Sequence, residues 1–116
     1  AKLPSDIPEN LALSVLDVAG APAQTVKLVK EGNTVLVLGG AGKSGILCLY
    51  EAKKLAGNAG KVICIDYSET TIEKVRKLGV ADYYIAADAT NAIEVYEKVM
   101  NVTVKCQLSY QRKMKE

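Results

Sequence analysis

Two hydrophobic rhythms divide this chain. As far as Val29 the apolar residues return at helical spacing, and from Thr34 onward they come in solid blocks. Ile7, Leu11, Val15 and Val18 line one face of a predicted first helix, capped by Ser5 or Asp6, with Pro8 in its opening turn. Gly20 is expected to close it, because glycine takes the left-handed conformation that ends helices. Pro22 suits the first turn of a second helix, where its missing N–H has no partner to lose. Val26, Leu28 and Val29 mark that helix until Glu31-Gly32-Asn33 breaks it.

Thr34-Val35-Leu36-Val37-Leu38 is an unbroken β-branched and aliphatic run, as expected of a strand covered on both faces within a parallel sheet. A helical stretch follows from Lys43 to about Ala56, halted by Gly57. Lys61-Val62-Ile63-Cys64-Ile65-Asp66 is a second buried strand. Ser68 or Thr70 opens the next helix, and Thr70 with Glu73 has capping-box spacing. Its apolar face is Ile72, Val75 and Leu78, and Gly79 stops it. Residues 83–86 read as a third strand, and residues 92–100 as a helix bearing Ile93, Tyr96 and Val99. Beyond them Val102, Val104, Cys106, Leu108 and Tyr110 alternate with polar residues. That rhythm predicts a fourth strand, over 102–110, with one face wet, followed by a basic tail over 111–116. Strand and helix in alternation define an α/β fold with a parallel sheet of about four strands, in the order 3-2-1-4, behind two leading helices. All 116 residues form a single domain, with 101–116 as its edge strand and tail.

Composition narrows the chemistry. Apolar residues are 49% and charged residues 24%, which is ordinary for a globular chain, and the net charge of +2 is too small for an electrostatic nucleic-acid binder. No apolar run is long enough to span a membrane. Histidine is absent, which removes the Ser-His-Asp and Cys-His devices and the His-containing zinc sites. The three cysteines, Cys48, Cys64 and Cys106, are widely spaced and odd in number. They read as free thiols in a reducing cytoplasm rather than as a disulfide or metal framework. Residues 11–20 imitate a signal peptide, but Asp17 interrupts the run and Asp6 and Glu9 precede it where positive charge is required.

The informative segment is Gly39-Gly40-Ala41-Gly42-Lys43-Ser44-Gly45. Gly40, Gly42 and Gly45 form G-x-G-x-x-G between a strand and a helix. Gly40 is expected to make the tight turn, Gly42 to let a diphosphate approach the backbone, and Gly45 to let the helix pack on the strand. Free N–H groups of the first helical turn, with the helix dipole behind them, suit an anion. Asp66, 21 positions beyond Gly45 at the end of the second strand, is placed to accept ribose hydroxyls and to repel a 2′-phosphate, so NAD is favoured over NADP. Ala41 lies within the turn, Lys43 is placed to meet a phosphate as a point charge, and Ser44 to donate a hydrogen bond to it. Tyr67 and Ser68 border the adenine-ribose region, and so does Asp88 unless it caps a helix. A P-loop is excluded, since it would need glycine where Val37 stands. The plainer alternative is that the glycines only shape a turn and Asp66 only caps the next helix.

Taken together, the elements are similar to the Rossmann-type coenzyme domain of the medium-chain dehydrogenases/reductases, the alcohol dehydrogenase-like family. The resemblance is carried by Ile7-Pro8, Val26-Lys27-Leu28, Glu31-Gly32-Asn33-Thr34-Val35-Leu36-Val37 and the glycine turn. It continues through Ala52-Lys53-Lys54-Leu55-Ala56, Val62-Ile63-Cys64-Ile65-Asp66 and Lys77-Leu78-Gly79-Val80-Ala81-Asp82. It implies an NAD-binding module of an oxidoreductase acting on an alcohol or amino group, truncated and without its catalytic domain, so that no residue here takes a catalytic role. Two other functions remain open at this stage. One is a non-binding remnant that self-associates, as a homodimer or larger, through residues 102–110. The other is a different small nucleotide- or S-adenosylmethionine-binding domain.

Overall fold

The second strand is the centre of the molecule, because its side chains alternate between two hydrophobic layers. The computed structural model of the chain describes residues 2–18 and 20–115, and for 105–111, 113 and 114 the backbone alone. Its elements are α1 (Glu9–Val18), α2 (Gly20–Leu28), β1 (Thr34–Leu38), α3 (Lys43–Ala56), β2 (Lys61–Asp66), α4 (Glu69–Arg76), β3 (Tyr83–Ala86) and α5 (Ala92–Lys115). The strands are parallel in the order β1-β2-β3, with Leu36 opposite Ile63 and Ile65 opposite Ile85. Val62 and Cys64 face a layer built from Leu49, Ala52 and Ala56 of α3 and from Ile72 and Val75 of α4. Ile63 and Ile65 face the other layer, where Val95, Val99 and Val102 of α5 cover them. All four of these β2 side chains are fully buried. No helix among the described residues is long and apolar enough to cross a membrane.

This is the expected three-layer α/β arrangement, and its 3-2-1 strand order is the one anticipated. The fourth strand is not there. Residues 102–110 continue α5, which runs unbroken to Lys115. The helix is nucleated at Asn91, whose side chain accepts the Glu94 N–H at 3.2 Å and whose carbonyl accepts the Val95 N–H at 3.1 Å. Val95, Val99 and Val102, spaced by four and three, then form a seam on β2. Thr103, a poor helix former, turns its hydroxyl back to the Val99 carbonyl at 3.0 Å. An alternating pattern needs a ladder partner to become a strand, whereas this seam already has a surface to cover. The buried side of α5 is therefore this seam, and Ile93 and Tyr96 are exposed. The Cys106 side chain lies outside the described residues.

Smaller expectations are changed or, for the cap of α4, decided between two candidates. Gly20 begins α2 instead of closing α1 in the left-handed conformation. Ser68, not Thr70, caps α4, accepting the Thr71 N–H. And β1 is covered on one face only. Val35 and Val37 pack against the α3 side, while Leu36 and Leu38 are exposed, because α5 lies over β2 and β3. Leu11 and Val15 of α1 are exposed as well, and Ala12 and Val18 are what it buries.

Cys64 illustrates how closed the inner layer is. Burial, and then the nearby Asp66 carboxylate, push its thiol up to about 11. At pH 8 it is therefore a thiol, and modification requires the core to open. Iodoacetamide at pH 8 is expected to leave Cys64 unlabelled in native protein and to label it in 8 M urea (roughly the strongest condition on a urea series), as read by peptide mass spectrometry. Native labelling at the rate of a free thiol would contradict this packing.

Candidate functional site

The carboxyl ends of β1 and β2 meet at the glycine turn, and hydrogen bonds hold them there. Gly39 takes φ +71, so the left-handed turn belongs to it and not to Gly40. The Gly40 N–H donates to the Ile65 carbonyl at 3.0 Å, tying the turn to β2. Gly40 is small for a different reason: a Cβ there would sit 2.7 Å from Cys64 Sγ and 3.2 Å from the Val37 carbonyl oxygen. At Gly45 a Cβ would lie 2.2 Å from the Gly39 carbonyl oxygen and 2.7 Å from Gly40 Cα, so α3 can pass this close to the turn only without a side chain. Gly42 differs from both. Its φ of −77 and ψ of 171 are open to any residue, and a Cβ would meet one atom, the Gly39 carbonyl oxygen, at 3.3 Å. The fold asks little of a glycine at this position.

Gly42 is the N-cap of α3, and no side chain caps that end. The Gly42 N–H itself bonds to the Gly39 carbonyl at 3.1 Å, and the Ile46 N–H bonds back to the Gly42 carbonyl at 2.9 Å. The N–H groups of Lys43, Ser44 and Gly45 find no acceptor among the described residues. These are the donors that a helix start leaves unpaired, and they carry the positive end of the dipole.

Asp66 closes the turn from the β2 side. Its Oδ2 accepts the Ala41 N–H at 3.1 Å and its Oδ1 accepts the Tyr67 N–H at 2.8 Å. The carboxylate thus joins residues 25 positions apart and stands directly beside the glycine turn. It caps neither α4, which Ser68 caps, nor any other helix. Ala41 contributes its amide to this link, so that N–H is already taken. Tyr67 is exposed, and with Glu69, Ala86, Ala87, Asp88 and Glu94 it lines an open cleft of about 360 Å³ beyond the ends of β2 and β3. Asp88 accepts the Thr90 hydroxyl at 2.6 Å and the Thr90 N–H at 2.9 Å, which hold its carboxyl below the ordinary 3.8. It builds a turn ahead of Asn91, and Asn91 caps α5. Ser68 is occupied as the α4 cap.

Lys43 is not free. Its Nζ lies 2.5 Å from Oδ2 of Asp17, at the end of α1. That hydrogen bond and the ammonium charge hold the Asp17 carboxyl below its usual range. The sequence marked Asp17 only as an interruption of an apolar run. Nothing local announced that α1 would carry it to the start of α3.

No protein-family model matches the chain. It is 54% identical over 97 residues to L-erythro-3,5-diaminohexanoate dehydrogenase of Acetoanaerobium sticklandii, covering 84% of this chain and 28% of that protein. The chain thus spans less than a third of the length of this relative. A mycobacterial protein solved in complex with NADPH matches in structure with a TM-score of 0.67 and 29% identity, over 89% of this chain and 31% of its own. The alcohol dehydrogenase of Aeropyrum pernix matches with a TM-score of 0.60 and 25% identity, over 89% and 30%. The resemblance to the coenzyme domain of medium-chain dehydrogenases/reductases is borne out over most of the chain.

The glycines separate by role. Gly45→Ala is expected to cost about 3 kcal/mol or more through overpacking against backbone, and Gly42→Ala at most about 1 kcal/mol as an N-cap change. Urea unfolding followed by circular dichroism measures both. Equal losses would contradict the assignment.

Proposed function

We propose that the chain is the nucleotide-binding module of a dehydrogenase and holds the ADP half of NAD at the start of α3. One observation carries this reading: three unpaired amides, of Lys43, Ser44 and Gly45, lie beside a carboxylate, Asp66, that is latched to the same turn. The amides and the dipole behind them suit a diphosphate. Gly42, which the fold itself does not require, leaves the approach clear, while Gly40 and Gly45 set the path of the turn. Lys43 adds a positive charge and the Ser44 hydroxyl a donor.

Asp66 keeps acceptor capacity after its two backbone bonds, since an ionised carboxylate offers about four lone-pair sites. It takes the ribose hydroxyls and disfavours a 2′-phosphate. Glu69 and Asp88 in the neighbouring cleft add negative charge on the Asp66 side, whereas Glu94 there is paired with the Lys98 ammonium, and the first two carboxylates support NAD over NADP. Tyr67 borders the adenosine end of the site. When bound, the nicotinamide would accept or return a hydride. The residues described here bind and orient the coenzyme and take no part in bond making. By similarity to the diaminohexanoate dehydrogenase, the whole enzyme's reaction would be oxidation at an amine-bearing carbon. A reducing, cytoplasmic setting fits the free thiols of Cys48 and Cys64.

Isothermal titration with NAD, ADP-ribose and NADP tests the reading. NAD and ADP-ribose are expected to bind and NADP to bind at least about tenfold more weakly, a gap of about 1.4 kcal/mol. Asp66→Asn should narrow that gap. Folded protein that gives no heat with any of the three would overturn the reading, and equal affinity for NAD and NADP would remove Asp66's selectivity.

The open edge of β1 supports a second reading, self-association. Among the described residues β1 pairs only with β2, and Leu36 and Leu38 are exposed beside its unpaired edge. This contact would replace the one expected of residues 102–110, which are helical. Light scattering after sizing chromatography is expected to show a dimer or larger species at high concentration, and a strict monomer would count against it.

A further inference from the structure

We propose that Asp17 acts as a built-in stand-in for the ligand's diphosphate, competing with it for the Lys43 ammonium and so setting how tightly the start of α3 holds an anion. The inference rests on the coenzyme reading above and names a residue that controls that same site.

Both partners are misplaced with respect to their own helices. Asp17 lies in the last turn of α1, where the dipole is negative and where the helix has no basic residue of its own. Lys43 is the first residue of α3, where the dipole is positive and where the first turn has no acidic residue. Each charge is therefore unfavourable at its own end of helix and favourable at the other's. Together they make one arrangement: a carboxylate from α1 held 2.5 Å from the ammonium of the residue that opens α3, whose own N–H is one of the three unpaired amides. Val18, buried next to Asp17, fixes the end of α1 that delivers it.

The pair is also built to exchange. Its side chains are 63% and 59% exposed, so water screens the attraction and little is lost when it opens. A diphosphate brings more negative charge than one carboxylate, and it can accept from the amides and from Lys43 at once. Asp17 spans only the ammonium. Binding then transfers Lys43 from carboxylate to phosphate and leaves Asp17 in water. No covalent step is involved.

Titration of the 116-residue chain with ADP-ribose tests this in wild type, Asp17→Asn, Lys43→Gln and the double variant, with circular dichroism confirming that each is folded. Asp17→Asn is expected to tighten ADP-ribose about two- to fivefold, the range an exposed ion pair commands. The gain should vanish in the Lys43→Gln background and shrink as salt is raised. Asp17→Ala should repeat the gain. Unchanged or weaker binding in Asp17→Asn would overturn the exchange, since Asp17 would then be inert or would position Lys43. An equal gain with and without Lys43 would reduce Asp17 to a general repulsive charge and also overturn it. Absence of binding in all four folded proteins would instead overturn the coenzyme reading on which the exchange stands.

Discussion

The carboxylate of Asp66 is the link on which the rest of the site depends. By accepting the Ala41 and Tyr67 amides it fixes the glycine turn of one strand against the end of the next. The Gly40 N–H, bonded to the Ile65 carbonyl, doubles that connection through backbone alone. The turn is thereby held with the α3 amides pointing out of the sheet's carboxyl edge, beside a carboxylate. A buried β2, filled on both faces by aliphatic side chains, gives both bonds a rigid base. The unpaired α3 amides and the Asp66 carboxylate are thus set side by side by a single latch, so that neither the proposed anion donors nor the proposed sugar acceptor has to be ordered when a ligand arrives.

Much of this was legible in the residues. Unbroken aliphatic runs separated by helical periods gave a parallel α/β sheet, since such a strand must be covered on two sides. The glycine spacing located the turn, and Asp66 fell where the second strand ends. The division of labour among the glycines was less legible. Spacing assigned the tight turn to Gly40, yet the positive φ is at Gly39, and Gly40 is small because Cys64 Sγ lies against it. That contact joins residues distant in the chain, and no local pattern encodes it. The same is true of Ala41, which the spacing placed only within the turn and whose amide the structure gives to Asp66.

The largest departure, residues 102–110, has an instructive cause. Val102 belongs at once to a period of two with Val104 and to a helical seam with Val95 and Val99. Only the second has a partner, Ile63 and Ile65, so the helix prevails. With residues 102–110 helical, β1 is an edge among the described residues, and its outer face stays bare although its sequence is as apolar as that of β2. Asp17 shows the opposite limit. Its meaning comes from tertiary placement, because only folding brings the end of α1 to the start of α3.

Amide chemical shifts report on the central claim most directly. In a ¹⁵N-labelled sample titrated with ADP-ribose, the Lys43, Ser44 and Gly45 amides are expected to move first and furthest, with Tyr67 following, while amides at the opposite end of the sheet, such as Gly57, hold still. Saturable binding that left those three amides unmoved, or that shifted residues around Gly57 instead, would contradict the account.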